Sequence, residues 1–131
     1  MLNFREPHLP TRNSVFVVED DPSMRTGIMR LLRAHGFNSK LFESANAILR
    51  HGDFDGAFCV IMDINLNGES GIEVCRRLAN KGISLPVIFI TGNDSEAVRA
   101  AVTEMGCLAY LTKPFSAQSL IEPVEEARAA A

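Results

Sequence analysis

Polar side chains that can bind a cation or a phosphate stand where apolar runs of this sequence end. The runs VFVV, FCVIM and VIFI are each followed at once by such residues, and a lysine stands two residues after the run AYL. The residues concerned are Glu19, Asp20, Asp21, Asp63, Thr91 and Lys113. Apolar runs that end in this way indicate a functional site, formed where the ends of the runs meet.

The carboxylates in this set favour a hard divalent cation. Carboxylates held close together cannot all remain ionised without a compensating positive charge. Mg²⁺ prefers oxygen ligands in octahedral geometry and is usually held by one or two carboxylates together with waters and a phosphate. We therefore expect Asp20 and Asp63 to supply the two protein carboxylates of a Mg²⁺ site.

The other polar groups suit a phosphoryl group. Beside a metal-bound carboxylate, Lys113 can contact phosphoryl oxygens as a point charge and Thr91 as a hydrogen-bond donor. Asp63 is then placed as a nucleophile that accepts a phosphoryl group and forms an acyl phosphate, as other carboxylate nucleophiles do. The metal and Lys113 would neutralise the charge on the phosphoryl oxygens during the transfer.

Alternating strands and helices must bring these residues together. From Ser14 onward, short β-branched runs alternate with helical patterns, which is typical of βαβ units and a parallel sheet. The predicted strands cover 14–19, 38–42, 57–62, 87–91 and 107–111. We expect an α/β fold with a doubly wound, five-stranded parallel sheet in the order 2-1-3-4-5 and five helices. In this fold ligands bind at the carboxyl ends of the first and third strands, where the winding reverses.

Helix-capping residues predict the five helices between and after these strands. Their expected bounds are 22–36, 45–51, 71–80, 94–106 and 117 onward. Asn93, with Glu96 three residues later, predicts a capping box for the fourth helix. Pro123 lies about two turns into the fifth helix, where it removes a backbone hydrogen bond, so we expect a kink or an early end there.

The composition limits the class of protein. With 131 residues, of which 47% are hydrophobic and 22% charged, the chain fits one globular domain. We expect a flexible arm at 1–13, the domain at 14–128 and a frayed C-terminus at 129–131. A net charge of −3 with scattered arginines predicts no direct nucleic-acid binding by this chain. No apolar run can span a membrane and the arm does not resemble a signal peptide, so we expect a cytoplasmic location and no membrane contact.

Four motifs in this order resemble the receiver domain of bacterial two-component response regulators. They are VVEDD after the first strand, the Asp63 loop with Gly71 behind it, FITG at the fourth strand and YLTKPF at the fifth. The resemblance covers about residues 14–122 and implies the flavodoxin-like receiver fold. The second half is most similar to receivers of the nitrogen-fixation regulator (FixJ-like) type.

The resemblance implies a role for each matching residue. Asp63 would be the phosphorylated aspartate, and Mg²⁺ would be bound by Asp20, by Asp63, by the backbone carbonyl of Asn65 and, through water, by Glu19. Thr91 and Lys113 would contact the phosphoryl group, and the peptide bond from Lys113 to Pro114 would be cis. Thr91 and Tyr110 would form the conformational switch. Asn65 and Asn93 would tune the rate at which water attacks the acyl phosphate.

The same resemblance implies the partners of the chain. A histidine kinase or a phosphotransfer protein would supply the phosphoryl group, and the face made by the fourth helix, fifth strand and fifth helix would bind a partner or a second copy. Three residues depart from the family pattern. Glu19 replaces the commoner aspartate, a change that many members share. Asn67 stands where most members have a proline, which predicts a looser loop, and Pro123 interrupts the helix of the output face.

Two other functions compete with the phosphorylation switch. A pseudo-receiver would keep the fold as an interaction module without phosphotransfer, and such proteins typically lack one or more of the site residues that this chain retains. A phosphatase of the haloacid dehalogenase type also uses an aspartate nucleophile at the end of a strand. That class needs a second carboxylate two residues after the nucleophile, where this chain has Asn65. We therefore expect a signalling phosphoacceptor and no enzyme with a separate substrate.

Overall fold

The computed structural model describes residues 12–131, so most of the predicted arm at 1–13 lies outside the described residues. Ten main elements alternate along the chain. They are β1 (Ser14–Val18), α1 (Pro22–Ala34), β2 (Asn38–Phe42), α2 (Ala45–Leu49), β3 (Ala57–Asp63), α3 (Gly71–Asn80), β4 (Val87–Thr91), α4 (Glu96–Met105), β5 (Ala109–Thr112) and α5 (Ala117–Ala130). Asn65–Leu66 and Glu69–Ser70 add a small antiparallel hairpin between β3 and α3.

The five main strands form one parallel sheet in the order β2-β1-β3-β4-β5. This confirms the predicted doubly wound α/β fold and its strand order. The chain leaves β1 toward β2 on one side and returns to β3 on the other. The carboxyl ends of β1 and β3 therefore lie side by side at the reversal of the winding, which places Glu19 and Asp63 at the same edge of the sheet.

Both faces of the sheet are buried. One face packs under α2, α3 and α4, and the other packs under α1 and α5. All seven residues of β3 are buried, which explains why this strand is apolar without alternation. On β1, Phe16 and Val18 belong to the first layer while Val15 and Val17 belong to the second. This two-sided burial fixes the register of the strands and hence the positions at which they end.

Side-chain caps begin the helices, and one predicted cap is wrong. The side chains of Asp21, Ser44 and Ser116 accept backbone N–H groups at the starts of α1, α2 and α5. The N-cap of α4 is Ser95, whose Oγ accepts the N–H of Val98, and not Asn93. Asn93 stands three residues before the first residue of α4, in the turn after β4, where its N–H donates to the Thr91 hydroxyl at 3.0 Å.

Several other boundaries differ from the sequence predictions. The second helix ends at Leu49, short of residue 51, and the fifth strand covers Ala109–Thr112 instead of 107–111. Helix α5 contains Pro123 and continues to Ala130, so the predicted early end is wrong. Leu120 and Val124 on either side of this proline are fully buried, and their burial offsets the lost backbone hydrogen bond. The predicted fraying of 129–131 stays a prediction.

Within residues 12–131, no helix combines the length and apolarity needed to cross a membrane.

Candidate functional site

Three carboxyl groups meet at the carboxyl edge of the sheet. Glu19 is fully buried, Asp63 is 4% exposed, and Asp20 between them is half-buried. One carboxylate oxygen of each lies within 4.8 Å of the others. Glu19 and Asp20 follow β1 and Asp63 ends β3, so the adjacency of these two strands produces the cluster.

Lys113, which directly follows the edge strand β5, bridges two of these carboxyl groups. Its Nζ lies 2.9 Å from Glu19 Oε1 and 3.1 Å from Asp63 Oδ2. Partial burial acts against the charged form, but the hydrogen bonds to Glu19 and Asp63 outweigh it and raise the pKa of the ammonium group. Lys113 therefore remains charged at neutral pH and places one cation against the cluster.

Glu19 is the carboxyl group most affected by its surroundings. Burial raises its pKa to about 7, although the hydrogen bond from Lys113 acts in the opposite direction. Its second oxygen accepts the N–H of Asp21 at 3.0 Å, and Arg25 Nη1 donates to its backbone carbonyl at 2.9 Å. The raised pKa shows that burial has removed water from the charged form of this carboxyl group. A cation bound nearby would stabilise that charged form in place of the lost water.

Backbone contacts fix the position of Asp63. The N–H of Asn65 donates to Asp63 Oδ1 at 3.1 Å. Behind the aspartate, a Cβ added to Gly71 would lie 2.0 Å from the Asp63 carbonyl oxygen and 2.8 Å from Met62 Cγ. Only a residue without a side chain fits there, because backbone cannot yield as a flexible side chain can. Gly71 thus allows α3 to begin directly against the end of β3.

Thr91 ends β4, and Lys113 directly follows the neighbouring strand β5. Thr91 is 2% exposed, and its hydroxyl accepts the N–H of Asn93 at 3.0 Å. The Lys113 N–H donates to the Thr91 carbonyl at 2.8 Å, which ties the loop after β5 to the end of β4. The Lys113–Pro114 peptide bond is cis. The structure therefore brings Glu19, Asp20, Asp63, Thr91 and Lys113 to one edge of the sheet.

The loop after Asp63 is a closed hairpin, and the expectation of a looser loop stays a prediction. Asn67 and Gly68 have φ values of 53° and 89° and connect the two strands of the hairpin. The Asn67 N–H donates to Asp20 Oδ2 at 3.1 Å. Sequence reasoning missed this contact, although an Asn-Gly pair is a strong signal for a two-residue hairpin turn.

Tyr110 makes its side-chain hydrogen bond outside the cluster of Glu19, Asp20 and Asp63. Its hydroxyl donates to Asp94 Oδ1 at 2.7 Å, and the same carboxylate is paired with Arg99 of α4. Sequence reasoning did not identify Asp94 or Arg99, because their meeting with Tyr110 depends on how a loop, a helix and β5 pack. The ring is partly buried on the face of α4 and β5.

The cluster fits Mg²⁺. Its donors are carboxylate oxygens, which are the ligands that hard cations prefer. Three carboxyl groups face the single ammonium of Lys113, so the site has more acidic groups than its own cation can neutralise. The cysteines do not compete as nucleophiles or ligands, because burial raises the pKa of Cys59 and of Cys75 to about 12.

Comparison with known proteins gives consistent results. Residues 15–125 match the family model of the response regulator receiver domain. The chain is 40% identical over 108 residues to the sensory transduction protein RegX3 of Mycobacterium bovis, covering 82% of this chain and 47% of the relative. It is 29% identical to the transcriptional regulatory protein FixJ of Bradyrhizobium diazoefficiens, covering 91% of this chain and 58% of the relative. The chain thus spans about half the length of these curated relatives.

Solved structures agree with the sequence relatives. A response regulator receiver protein from Burkholderia phymatum superposes with a TM-score of 0.74 at 38% identity, covering 90% of this chain and 96% of that one. A receiver protein from Pseudoalteromonas atlantica reaches a TM-score of 0.84 at 21% identity, covering 89% and 98%, and supports the fold alone. By family model, relatives and fold, this chain belongs to the response regulator receiver domains of two-component signalling systems.

Proposed function

We propose that the chain is a phosphorylation switch in which Asp63 accepts a phosphoryl group from a histidine kinase or a phosphotransfer protein. The observation that carries this proposal is the position of Asp63, buried at the end of β3 and held 3.1 Å from the ammonium of Lys113. A carboxylate nucleophile next to a fixed cation suits phosphoryl transfer, in which catalysis consists of positioning and charge stabilisation.

The transfer requires one bond to form and one to break. An oxygen of Asp63 forms the new bond to phosphorus while the bond between phosphorus and the donor breaks, and the donor leaves with the electron pair. Lys113 neutralises the negative charge on the phosphoryl oxygens through its Nζ, and the Thr91 hydroxyl offers a second contact from the end of β4. The product is an acyl phosphate on Asp63.

Mg²⁺ is the proposed cofactor. Asp20, Asp63 and the backbone carbonyl of Asn65 would hold it, with Glu19 contributing through water. When bound, the ion would neutralise charge on the phosphoryl oxygens and orient them for transfer. The support is the cluster of three carboxyl groups that faces the single ammonium of Lys113.

The output would be a change at the face formed by α4, β5 and α5. Phosphorylation would draw the Thr91 hydroxyl toward the phosphoryl group, and Tyr110 would turn toward the space that it leaves. Tyr110 would then have to leave its hydrogen bond to Asp94. The altered face would bind a partner or a second copy of the chain. Asn65 and Asn93 border the site and would set how fast water removes the phosphoryl group.

The wider assignment follows from this role. Residues 14–128 would form the receiver unit, which acts in the cytoplasm as a signalling protein without a separate substrate or direct nucleic-acid contact. The pseudo-receiver alternative is not favoured, because Glu19, Asp20, Asp63 and Lys113 are all present and meet in one site.

The proposal is tested by phosphorylation with acetyl phosphate. The intact mass is recorded with and without Mg²⁺ for the wild-type chain, for Asp63→Asn and for Asp55→Asn, a control at an exposed position. We expect one phosphoryl adduct that requires Mg²⁺, is absent in Asp63→Asn and persists in Asp55→Asn. Failure to form an adduct, together with failure to bind Mg²⁺ or beryllofluoride, would leave the pseudo-receiver as the better description.

A further inference from the structure

The turn between Asn65–Leu66 and Glu69–Ser70 has an uncommon backbone conformation. Asn67 and Gly68 both have positive φ, 53° and 89°, as a type I′ turn requires. Asparagine is one of the few residues with a side chain that adopts this region readily. The Asn65 side-chain oxygen accepts the Gly68 N–H at 3.0 Å, so the turn is closed from within.

This conformation directs a backbone donor at the carboxylate cluster. The Asn67 N–H lies 3.1 Å from Asp20 Oδ2, although the two residues are 47 positions apart in the chain. The contact joins the loop after β1 to the loop after β3. Asp20 is the least buried member of the cluster, so its carboxylate has more freedom to rotate than those of Glu19 and Asp63.

We propose that the Asn67 N–H is a positioning group that holds the Asp20 carboxylate ready for a divalent cation. This inference rests on the proposed function, because it assigns a role to Asn67 in the Mg²⁺ site of that function. A charge-assisted hydrogen bond to one oxygen restricts the rotation of the carboxylate, and the other oxygen would remain available to bind the cation. Groups that orient a metal ligand in this way typically change metal affinity by about 10- to 100-fold when they are removed.

The Asn67–Gly68 turn is what makes this contact possible. A proline at residue 67 has no N–H and has φ fixed near −65°, so it can neither donate to Asp20 nor adopt this turn. Glycine at the same position would keep both the donor and the backbone conformation. The role therefore belongs to the backbone at residue 67 and not to the asparagine side chain.

A matched pair of variants isolates the donor. In the full chain, Asn67→Gly is compared with the same position carrying glycolic acid, the α-hydroxy analogue of glycine, which replaces the N–H by an ester oxygen and adds no side chain; it also makes the Leu66 carbonyl a weaker acceptor, an effect that the unfolding measurement below reports. Mg²⁺ affinity is measured by calorimetry without a phosphoryl donor, and urea unfolding without Mg²⁺ reports any purely structural effect. We expect Asn67→Gly to bind Mg²⁺ as the wild type does and the ester variant to bind about tenfold more weakly.

The possible results separate this inference from the proposed function. Equal Mg²⁺ affinity in the two variants, with normal phosphorylation of the wild-type chain, would overturn the inference alone. Absence of both Mg²⁺ binding and phosphorylation in the wild type would overturn the two together. If the ester variant does not fold, the contact is tested by hydrogen exchange. The exchange rate of the Asn67 amide is compared between the wild-type chain and Asp20→Ala, both without metal. Protection that depends on Asp20 is expected, and equal exchange in the two proteins would refute the proposed contact.

Discussion

At the scale of single residues, substitution of Lys113 should affect phosphoryl transfer and Mg²⁺ binding differently. We predict that Lys113→Ala slows phosphorylation by acetyl phosphate about 100-fold, because one preorganised charge contact to the phosphoryl group is removed. Mg²⁺ binding should not weaken, since removal of a positive charge leaves the acidic cluster more attractive to a cation. Single-turnover phosphorylation and calorimetry measure the two effects, with Lys40→Ala as an exposed control. An unchanged phosphorylation rate would exclude the proposed role of Lys113.

Gly71 gives a second prediction at the same scale, concerning the packing behind Asp63. Gly71→Ala should lower the free energy of unfolding by at least about 2 kcal/mol, because the added Cβ would overlap backbone atoms of β3. Gly27→Ala in α1 is the matched control, as a Cβ there meets nothing within 4 Å, and it should raise stability by up to about 1 kcal/mol. Urea unfolding measures both changes, and equal effects of the two substitutions would contradict the packing described for Gly71.

At the scale of elements, Tyr110 of β5 is tied to the start of α4 by Asp94. Partial burial and the hydrogen bond to Asp94 raise the pKa of this phenol above its usual value. Asp94→Ala removes the acceptor and leaves the positive charge of Arg99 nearby, so the pKa of Tyr110 should fall toward the usual value of a tyrosine. Tyr110 is the only tyrosine and the chain has no tryptophan, so ultraviolet absorbance during a pH titration reports this residue alone.

The control for this prediction is Glu104→Ala on the exposed side of α4, which should leave the pKa of Tyr110 unchanged. If Asp94→Ala also leaves the pKa unchanged, the hydrogen bond does not persist in solution. The proposed switch would then need no release of Tyr110 from Asp94.

Strands and helices were more predictable from the sequence than the contacts between them. The fourth strand was predicted at its observed bounds, since an apolar β-branched run between Pro86 and Gly92 has no competing interpretation. The cap of α4 was not, because Asn93 and Ser95 are both good capping residues and their sequence does not say at which of the two the helix begins. The residues at the strand ends predicted which carboxylates meet, because the order of the strands decides which ends are neighbours. The contact of Asn67 with Asp20 depends on turn geometry across two loops and was missed.

At the scale of the whole molecule, the site concentrates carboxyl groups at one edge of the fold. Bound Mg²⁺ should reduce the repulsion between them and so stabilise the folded state. A ligand that binds only the folded state stabilises it by about 2.7 kcal/mol at 100 times its dissociation constant. We predict a stabilisation of about this size at saturating Mg²⁺, measured by urea unfolding at constant ionic strength. Asp20→Asn should abolish the gain because it removes a proposed ligand. A gain of the same size in Asp20→Asn would place the ion elsewhere.

The central claim is that Asp63 itself carries the phosphoryl group, and chemical trapping tests it most directly. The chain is phosphorylated in the presence of Mg²⁺, reduced with borohydride, which converts an aspartyl phosphate to homoserine, and mapped by peptide mass spectrometry. We expect homoserine at residue 63 and at no other aspartate position. Homoserine at Asp20 or Asp21, or a stable phosphate on a hydroxyl such as that of Thr91, would contradict it.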